Sequence, residues 1–471
     1  MKSNGFFLTI VTIAFTLSAC QEGFLAISPQ TERNTLEFYK TAADFNNAVI
    51  GNYNALKLSG TYNNSLYWLG EVSADNTDFG VTTRQSGNVD NFQFIDHTYT
   101  TLNDVIYTAW QHQYTGISRS NAILTRIEKA EIADNLKSQY RAEAQFLRAL
   151  FYFNLVRAFG DIPLVTEEIT TPDGASNLTR TPAEEVYQLI ISDLLSAEAA
   201  LPVSYGGTDL GRATKGAAKS LLGKVYLTRK EWDKAAAKLK EVISSGTYQL
   251  LARYADVFSP ATPVNAEIIF NVQYKSGNTG QGSNFGPVQA SEGARITGGG
   301  MRYPTADMEA AYEAGDLRKT FSMKPTFTDA SGILNNQRYV SKYVQFGSLA
   351  GDSDIDFPVL RYADVLLMYA EALNEISFNA EAVTNLNLVR KRAGLGATTA
   401  ADQASFRLAV EQERRVELAF ENHRWFDLVR TGRYLTVMRS KGYTVQDYNT
   451  LYLIPQREID LNKSLKQNAG Y

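Results

Sequence analysis

Apolar side chains recur every three or four positions over most of the chain. Tyr140, Ala144, Leu147, Phe151 and Leu155 share one stripe, a period that predicts an amphipathic helix over 136–159. Thr181-Pro182-Ala183-Glu184 reads as the start of the next helix: threonine as N-cap, proline in the first turn, and an acid near the positive end of the helix dipole. Leu201-Pro202 closes it. Further helices are predicted over 214–229, 231–244, 359–376, 380–393 and 403–420. Clustered β-branched and aromatic residues predict short strands at 268–274 and 338–345. Three stretches break the helical period: 60–101, rich in Asn, Asp, Thr and aromatics; 275–300, rich in glycine; and the acidic 347–356. Loops this long are uncommon unless functional or disordered. Their aromatic and arginine residues (Trp68, Phe92, Phe94, Tyr274, Phe285 and Arg295) argue for ordered, ligand-facing loops.

Two helix pairs repeat one pattern. Gly223 is followed by Ala235, Leu239 and Val242, and Ala370 by Ala382, Leu386 and Val389 at the same offsets. Small residues where two antiparallel helices cross, backed by larger apolar ones, form the tetratricopeptide pattern. Leu222-Gly223-x-x-Tyr226 with Trp232 fits it closely, whereas the second copy has Asn379 in place of the aromatic. The copies lie 147 residues apart, which predicts an interrupted array.

The amino terminus carries a different signal. Lys2 precedes twelve mostly apolar residues at 6–17, and small residues follow at Ser18 and Ala19. The apolar run is too short to span a bilayer and reads as a secretory signal. Leu17-Ser18-Ala19-Cys20 resembles the lipobox of bacterial lipoproteins. That resemblance implies cleavage after residue 19 and a diacylglycerol thioether with an acylated amine on Cys20, an anchor of several acyl chains.

Composition removes several classes of function. With 46 basic and 50 acidic side chains the formal charge is −4, which lacks the footprint of a nucleic-acid binder. One cysteine makes neither an internal disulfide nor a thiolate zinc site, and His97, His112 and His423 are too few and too scattered for an imidazole metal cluster. Gly277-x-x-Gly280-x-Gly282 lacks the Lys-Ser/Thr and the Rossmann unit of a phosphate loop. Asp352-x-Asp354-x-Asp356 has calcium-loop spacing, but Phe357 replaces the turn glycine and Ala363 the twelfth-position glutamate. It reads as a solvated acidic turn, with a nonstandard calcium site as the alternative. No Gly-x-Ser-x-Gly elbow occurs. Glu413-Arg414-Arg415 and Glu417 read as i,i+4 charge pairs on a late helix. No catalytic constellation stands out, and no cofactor is called for.

Several longer segments carry a resemblance. Arg361-Tyr362-Ala363-Asp364-Val365-Leu366-Leu367-Met368-Tyr369-Ala370-Glu371-Ala372 is followed by Val389-Arg390-x-Arg392-Ala393-Gly394-Leu395. Next come Glu413-Arg414-Arg415-x-Glu417-Leu418-Ala419-Phe420-Glu421 and His423-Arg424-Trp425-Phe426-Asp427-Leu428, and finally Ile454-Pro455 through Gln467-Asn468-Ala469-Gly470-Tyr471. Upstream stand Phe146-Leu147-Arg148-Ala149, Phe159-Gly160-Asp161-Ile162-Pro163 and Gly211-Arg212-Ala213-Thr214-Lys215-Gly216-Ala217-Ala218. In this order and spacing they resemble the SusD/RagB family of outer-membrane nutrient-binding lipoproteins.

The resemblance implies a mostly α fold: a tetratricopeptide-like helix-pair superhelix with long irregular loop insertions and a few short strands. Residues 1–19 would be the lipoprotein signal and 20–471 one body, with an N-terminal helical part (20–250), an irregular insertion (251–357) and a C-terminal helical part (358–471). It implies a lipid-anchored protein outside the outer membrane that binds a nutrient, foremost a glycan, and hands it to a SusC-like TonB-dependent transporter. A surface glycan-degrading enzyme and a ligand-free assembly lipoprotein are the alternatives. Aromatic faces would stack on sugar rings while Asp, Asn and Arg bond the hydroxyls. On that basis Trp68, Asp75, Asn76, Arg84, Tyr274, Arg302 and Tyr303 are the expected ligand contacts.

Overall fold

The structure, a computed structural model, describes residues 38–78, 89–171, 174, 177–284, 302–328, 332–343 and 352–471. The signal segment, Cys20 and Arg84 lie outside the described residues.

Helices dominate. α1 (Ala42–Tyr53) opens on a capping box in which the Thr41 hydroxyl accepts from the Asp44 amide while the Asp44 carboxylate takes the Thr41 amide. α2 (Asp104–Ile127) is capped by Asn103, whose side-chain oxygen accepts from Ile106 N at 3.1 Å. α3 (Asp134–Phe159) carries the predicted stripe and ends at Gly160, whose φ of +73° no β-carbon would favour. α4 (Ala183–Ala200) starts where expected, but not as expected. Thr181 pairs through its backbone with Ile162, and the free Ala183 amide is taken at 2.8 Å by the Asp161 carboxylate, 22 positions upstream. α5 (Lys215–Thr228) and α6 (Trp232–Ser244) form the first tetratricopeptide-like pair, with Thr214 capping α5. A β-carbon on Gly223 would sit 2.6 Å from Leu239 Cδ2, so a glycine at this crossing lets the two helices close. α7 (Tyr362–Ile376) and α8 (Ala380–Arg392) form the second pair, α8 being capped by Asn379. α9 (Gln403–Glu417), with its Asp402–Ser405 capping box, α10 (Arg424–Arg430) and α11 (Tyr434–Ser440) complete the series.

Neighbours in sequence pack as neighbours in space from α2 to α6, and α7 then packs directly on α6. The array interrupted in sequence is therefore continuous in three dimensions. The 117 residues between Ser244 and Tyr362 leave the helical row and return to it. Their return is fastened by two antiparallel strands, β1 (Ile268–Val272) and β2 (Phe357–Arg361), buried at every position. The strand expected over 338–345 is reduced to Tyr339–Val340, which pairs with Met323–Lys324.

Segment 60–101 departs most from the sequence reading. Instead of an irregular loop, its described residues form a helical turn at Ser65–Tyr67, a π-turn at Trp68–Val72 and a helix at Val89–Asp96. Tyr62, Leu66, Trp68, Leu69, Val72, Phe94 and Tyr99 all enter the main core, alongside Trp425, Tyr434 and Tyr452 from the end of the chain. Among the described residues no helix is long and apolar enough to cross a membrane.

Candidate functional site

Six of the seven expected ligand contacts are described, and all six are buried. Trp68 is 2 % and Arg302 1 % exposed. The Arg302 guanidinium lies 4.7 Å over the Tyr67 ring and 4.9 Å over the Trp68 ring and donates to Asn64 Oδ1. Burial brings its pKa down to about 10. Tyr303 pairs with Asp78 and Pro304 with Thr77 in a two-residue ladder. The Tyr274 amide donates to Asp356 at 2.8 Å, and the ring sits beneath Lys57. Asp75 receives two bonds from Arg424, at 2.7 and 3.0 Å, and further contacts from Arg415 and Lys441. Burial would raise the Asp75 carboxyl, but Arg424, Arg415 and Lys441 outweigh it and hold it well below the usual range. Asn76 links Arg415 to Glu71. Asp75 and Asn76 therefore hold the 60–78 segment to the carboxy-terminal helices, while Arg302 and Tyr303 hold it to the 302–304 turn. Aromatic and polar residue types mark binding loops and cross-braced turns alike.

Glu71 lies at the centre of this brace, fully buried. One oxygen accepts from Asn76 Nδ2 at 2.9 Å and from Phe420 N at 3.2 Å, and the other has no partner among the described residues. Burial, partly offset by these bonds, raises the pKa to about 7 from 4.5. Between pH 4.5 and 7 the folded state binds the proton that the unfolded state has lost, so stability falls as pH rises through that window. Glu71→Gln keeps both donors bonded and removes the titration. It is expected to match the wild type near pH 4 and to exceed it by about 3 kcal/mol at pH 8 in urea unfolding. Parallel pH profiles for the two proteins would rule this account out.

The acidic triplet is not simply a solvated turn. Asp352 accepts from the Gly277 and Asn278 amides at 3.0 and 2.8 Å. Asp354 accepts from the amide and hydroxyl of Ser276, and Asp356 from Asn271 Nδ2 and Tyr274 N. The three carboxylates instead anchor the loop that follows β1. Among the described residues no three His, Cys, Asp or Glu side chains group to hold a metal.

Charges on α9 reach much farther than one helical turn. Glu417 accepts from Arg361 Nη1 and Arg392 Nη2 at 2.5 Å and from Arg318 Nη1 at 2.9 Å. Glu413 meets Arg318 at 2.6 Å and Arg390 at 3.2 Å. Glu421 pairs with Arg361 at 2.7 Å and with Lys342 at 2.5 Å. Arg414 joins Asp364 to Asp427. This network ties β2 and α7 to α9 and to the insertion, all out of solvent.

Surface chemistry lies elsewhere. A cavity of about 280 Å³ opens between α1, the 208–212 loop and the end of β1. Asn46, Asn54, Asp209 and Gln273 give it hydrogen-bonding walls, while Ile50 (42 % exposed) and Leu210 (46 %) form its apolar rim. Tyr53 closes the floor, its hydroxyl donating to Glu143 at 2.8 Å and accepting from Ala213 N at 2.9 Å. Arg212 is fixed between Asp209, Glu143 and Asn46. The side-chain amides of Asn54 and Gln273 have no hydrogen-bond partner among the described residues. Free amides beside small apolar patches match the alternating hydroxyls and C–H faces of a neutral sugar. The sequence reading missed these residues. Its one available signal was the Gly211-Arg212-Ala213-Thr214 run, since Gly211 has φ +98° and a β-carbon there would strike Gln273.

A continuous tetratricopeptide-like array with a long insertion, braced by buried charge and carrying polar surface cavities, defines the class: a helical binding protein. Comparison with known proteins places it more narrowly. Residues 24–227 match a family model described as starch-binding associating with outer membrane, and residues 322–471 match the SusD family model. The chain belongs to the SusD/RagB family. It is 29 % identical to SusD-like protein P2 of Formosa agariphila, over 98 % of this chain and 99 % of the relative. The starch-binding protein SusD of Bacteroides thetaiotaomicron is 25 % identical over 77 % of this chain and 78 % of its own. A solved structure of a laminarin-binding SusD-like protein superposes with a TM-score of 0.80 at 27 % identity, covering 92 % of this chain and all of that one.

Proposed function

We propose that this protein is a cell-surface lipoprotein that captures a glycan and delivers it to a SusC-like TonB-dependent transporter of the outer membrane. The observation that carries the reading is the amide-walled cavity beside Tyr53, with Asn54 and Gln273 free to bond hydroxyls. The overall likeness to a laminarin-binding protein supports it. Binding suits the charge distribution better than catalysis does. Two carboxyls raised by burial to about 7, Glu71 and Asp356, are tied to backbone amides inside the protein. A glycosidase needs two carboxyls facing one another across a cleft. Lipid on Cys20 would confine the protein to the membrane plane and raise its effective concentration at the transporter.

Calorimetric titration of the chain from residue 21 onward with laminari- and malto-oligosaccharides tests the reading. Micromolar to millimolar binding is expected to one of them, weakened about two- to tenfold by Asn54→Ala and again by Gln273→Ala, as loss of one hydrogen bond each predicts. Absence of heat with every oligosaccharide, or variants that bind like the parent, would overturn it.

A further inference from the structure

A second cavity, of about 300 Å³, lies on another part of the array, between the end of α7, α9 and α10. Six arginines line it: Arg407, Arg414, Arg415, Arg424, Arg430 and Arg433. Glu371, Glu411 and Asp427 line it beside them, and Asp75, Asp307, Asp364 and Glu375 pair with arginines of the wall from behind. His423 adds no charge, because burial and the neighbouring Lys224 hold its pKa well below the usual value.

The arginines differ in how fully they are bonded. Arg430 gives all its donor groups to Asp427 and Glu371, and Arg414 bridges Asp364 and Asp427. These two are structural. Arg424 is locked by Nε and Nη2 to Asp75, and its Nη1 stands 3.9 Å from Glu411, beyond hydrogen-bond distance. Arg433 bonds Glu411 through Nε alone, at 3.1 Å, leaving both terminal nitrogens unbonded among the described residues. Arg407 holds Glu375 with Nε and Nη2 and leaves Nη1. A guanidinium fixed on one edge and open on the other is oriented in advance for an oxyanion. Between these donors the wall is apolar, formed by Leu408, Val410, Leu418 and Leu428.

From this arrangement we infer that the cavity between α7, α9 and α10 is a binding site for a ring-sized organic oxyanion, a carboxylate or sulfate carried on a body about as large as one sugar unit. Arg424, Arg433 and Arg407 hold the anionic group, and the leucines receive the less polar face of the ring. The volume, at the lower end of small-molecule sites, sets the size. Glu411 shares the space with Arg424 and Arg433 and opposes the incoming charge. The site stands independently of the amide-walled cavity and of the glycan reading.

Titration with glucuronate, glucose 6-sulfate, glucose and inorganic sulfate separates the outcomes. Glucuronate or glucose 6-sulfate is expected to bind at millimolar affinity or better, glucose not at all, and inorganic sulfate at least fivefold more weakly than the ring anions. Raising the salt to about 0.5 M weakens binding severalfold. Arg433→Ala and Arg407→Ala, at positions 40 % and 47 % exposed, should keep the parent melting temperature and lose affinity at least fivefold each. Glu411→Gln should strengthen it severalfold, a gain that a merely structural arginine cluster would not show. Equal binding of glucose, inorganic sulfate binding as well as the ring anions, or no response to Glu411→Gln and Arg433→Ala together would overturn the proposal.

Discussion

Glu417→Gln is expected to destabilise the protein by about 3–5 kcal/mol, the cost of leaving buried cations without their counter-charge. Three guanidiniums converge on this one carboxylate, from Arg318, Arg361 and Arg392. Burial alone would raise its pKa, but Arg392, Arg361 and Arg318 outweigh it and keep the group ionised well below the usual range. At the size of this chain such a loss lowers the melting temperature by about 3–6 °C. The pH dependence identifies the cause. A carboxyl depressed in the folded state stabilises above its unfolded pKa of 4.5 and loses that contribution as pH falls below it. The gap between variant and parent should therefore be full at pH 7 and narrow below about pH 4. Calorimetric melting across that range is the measurement, and a variant melting within a degree of the parent at pH 7 would refute the role given to this network.

Cys20→Ala is expected to move nearly all of the protein from the membrane to the soluble fraction. The residue lies outside the described structure, and its lipidation rests on the Leu17-Ser18-Ala19-Cys20 signal and the family. Each buried methylene contributes about 0.8 kcal/mol, so the several acyl chains proposed on Cys20 would anchor the protein firmly and their loss would leave no comparable attachment. Among the described residues no membrane-spanning helix would substitute. Fractionation of cells expressing the full chain reads the outcome, and retention of the variant in the membrane pellet would remove the anchor from the proposal. Because the substitution leaves the folded body intact, glycan binding by the released protein should equal that of the parent.

Helices were the legible part of this molecule. The caps at Thr214, Asn379 and Asp402 act within three residues of themselves, so local sequence contains all the information needed to place them. Thr181 looked equally persuasive, yet Asp161 does the capping, because tertiary proximity supplied a better acceptor. The pairs at Gly223 and Ala370 were visible through their spacing. That α7 packs on α6 was not, since nothing local records where a 117-residue excursion returns. The burial of the expected ligand contacts was illegible for the same reason. Asp75 and Asn76 look like exposed loop residues until Arg424 and Arg415 are brought to them from 349 and 339 positions away. The family motifs around Arg361, Glu417 and Arg424 marked the charge network and a wall of the arginine cavity. The amides of the other cavity had no such mark, because single Asn and Gln residues at 46, 54 and 273 form no pattern.

Those long reaches also set the order of events in time. Tyr452 donates to Leu69 O across 383 residues, and Phe420 N reaches Glu71 across 349. While the first helices are already made, the Asp75 and Glu71 carboxylates still await Arg424, Arg415 and the Phe420 amide. Contacts of such sequence separation form late and slowly. The newly made chain thus keeps this flank open until those later turns arrive.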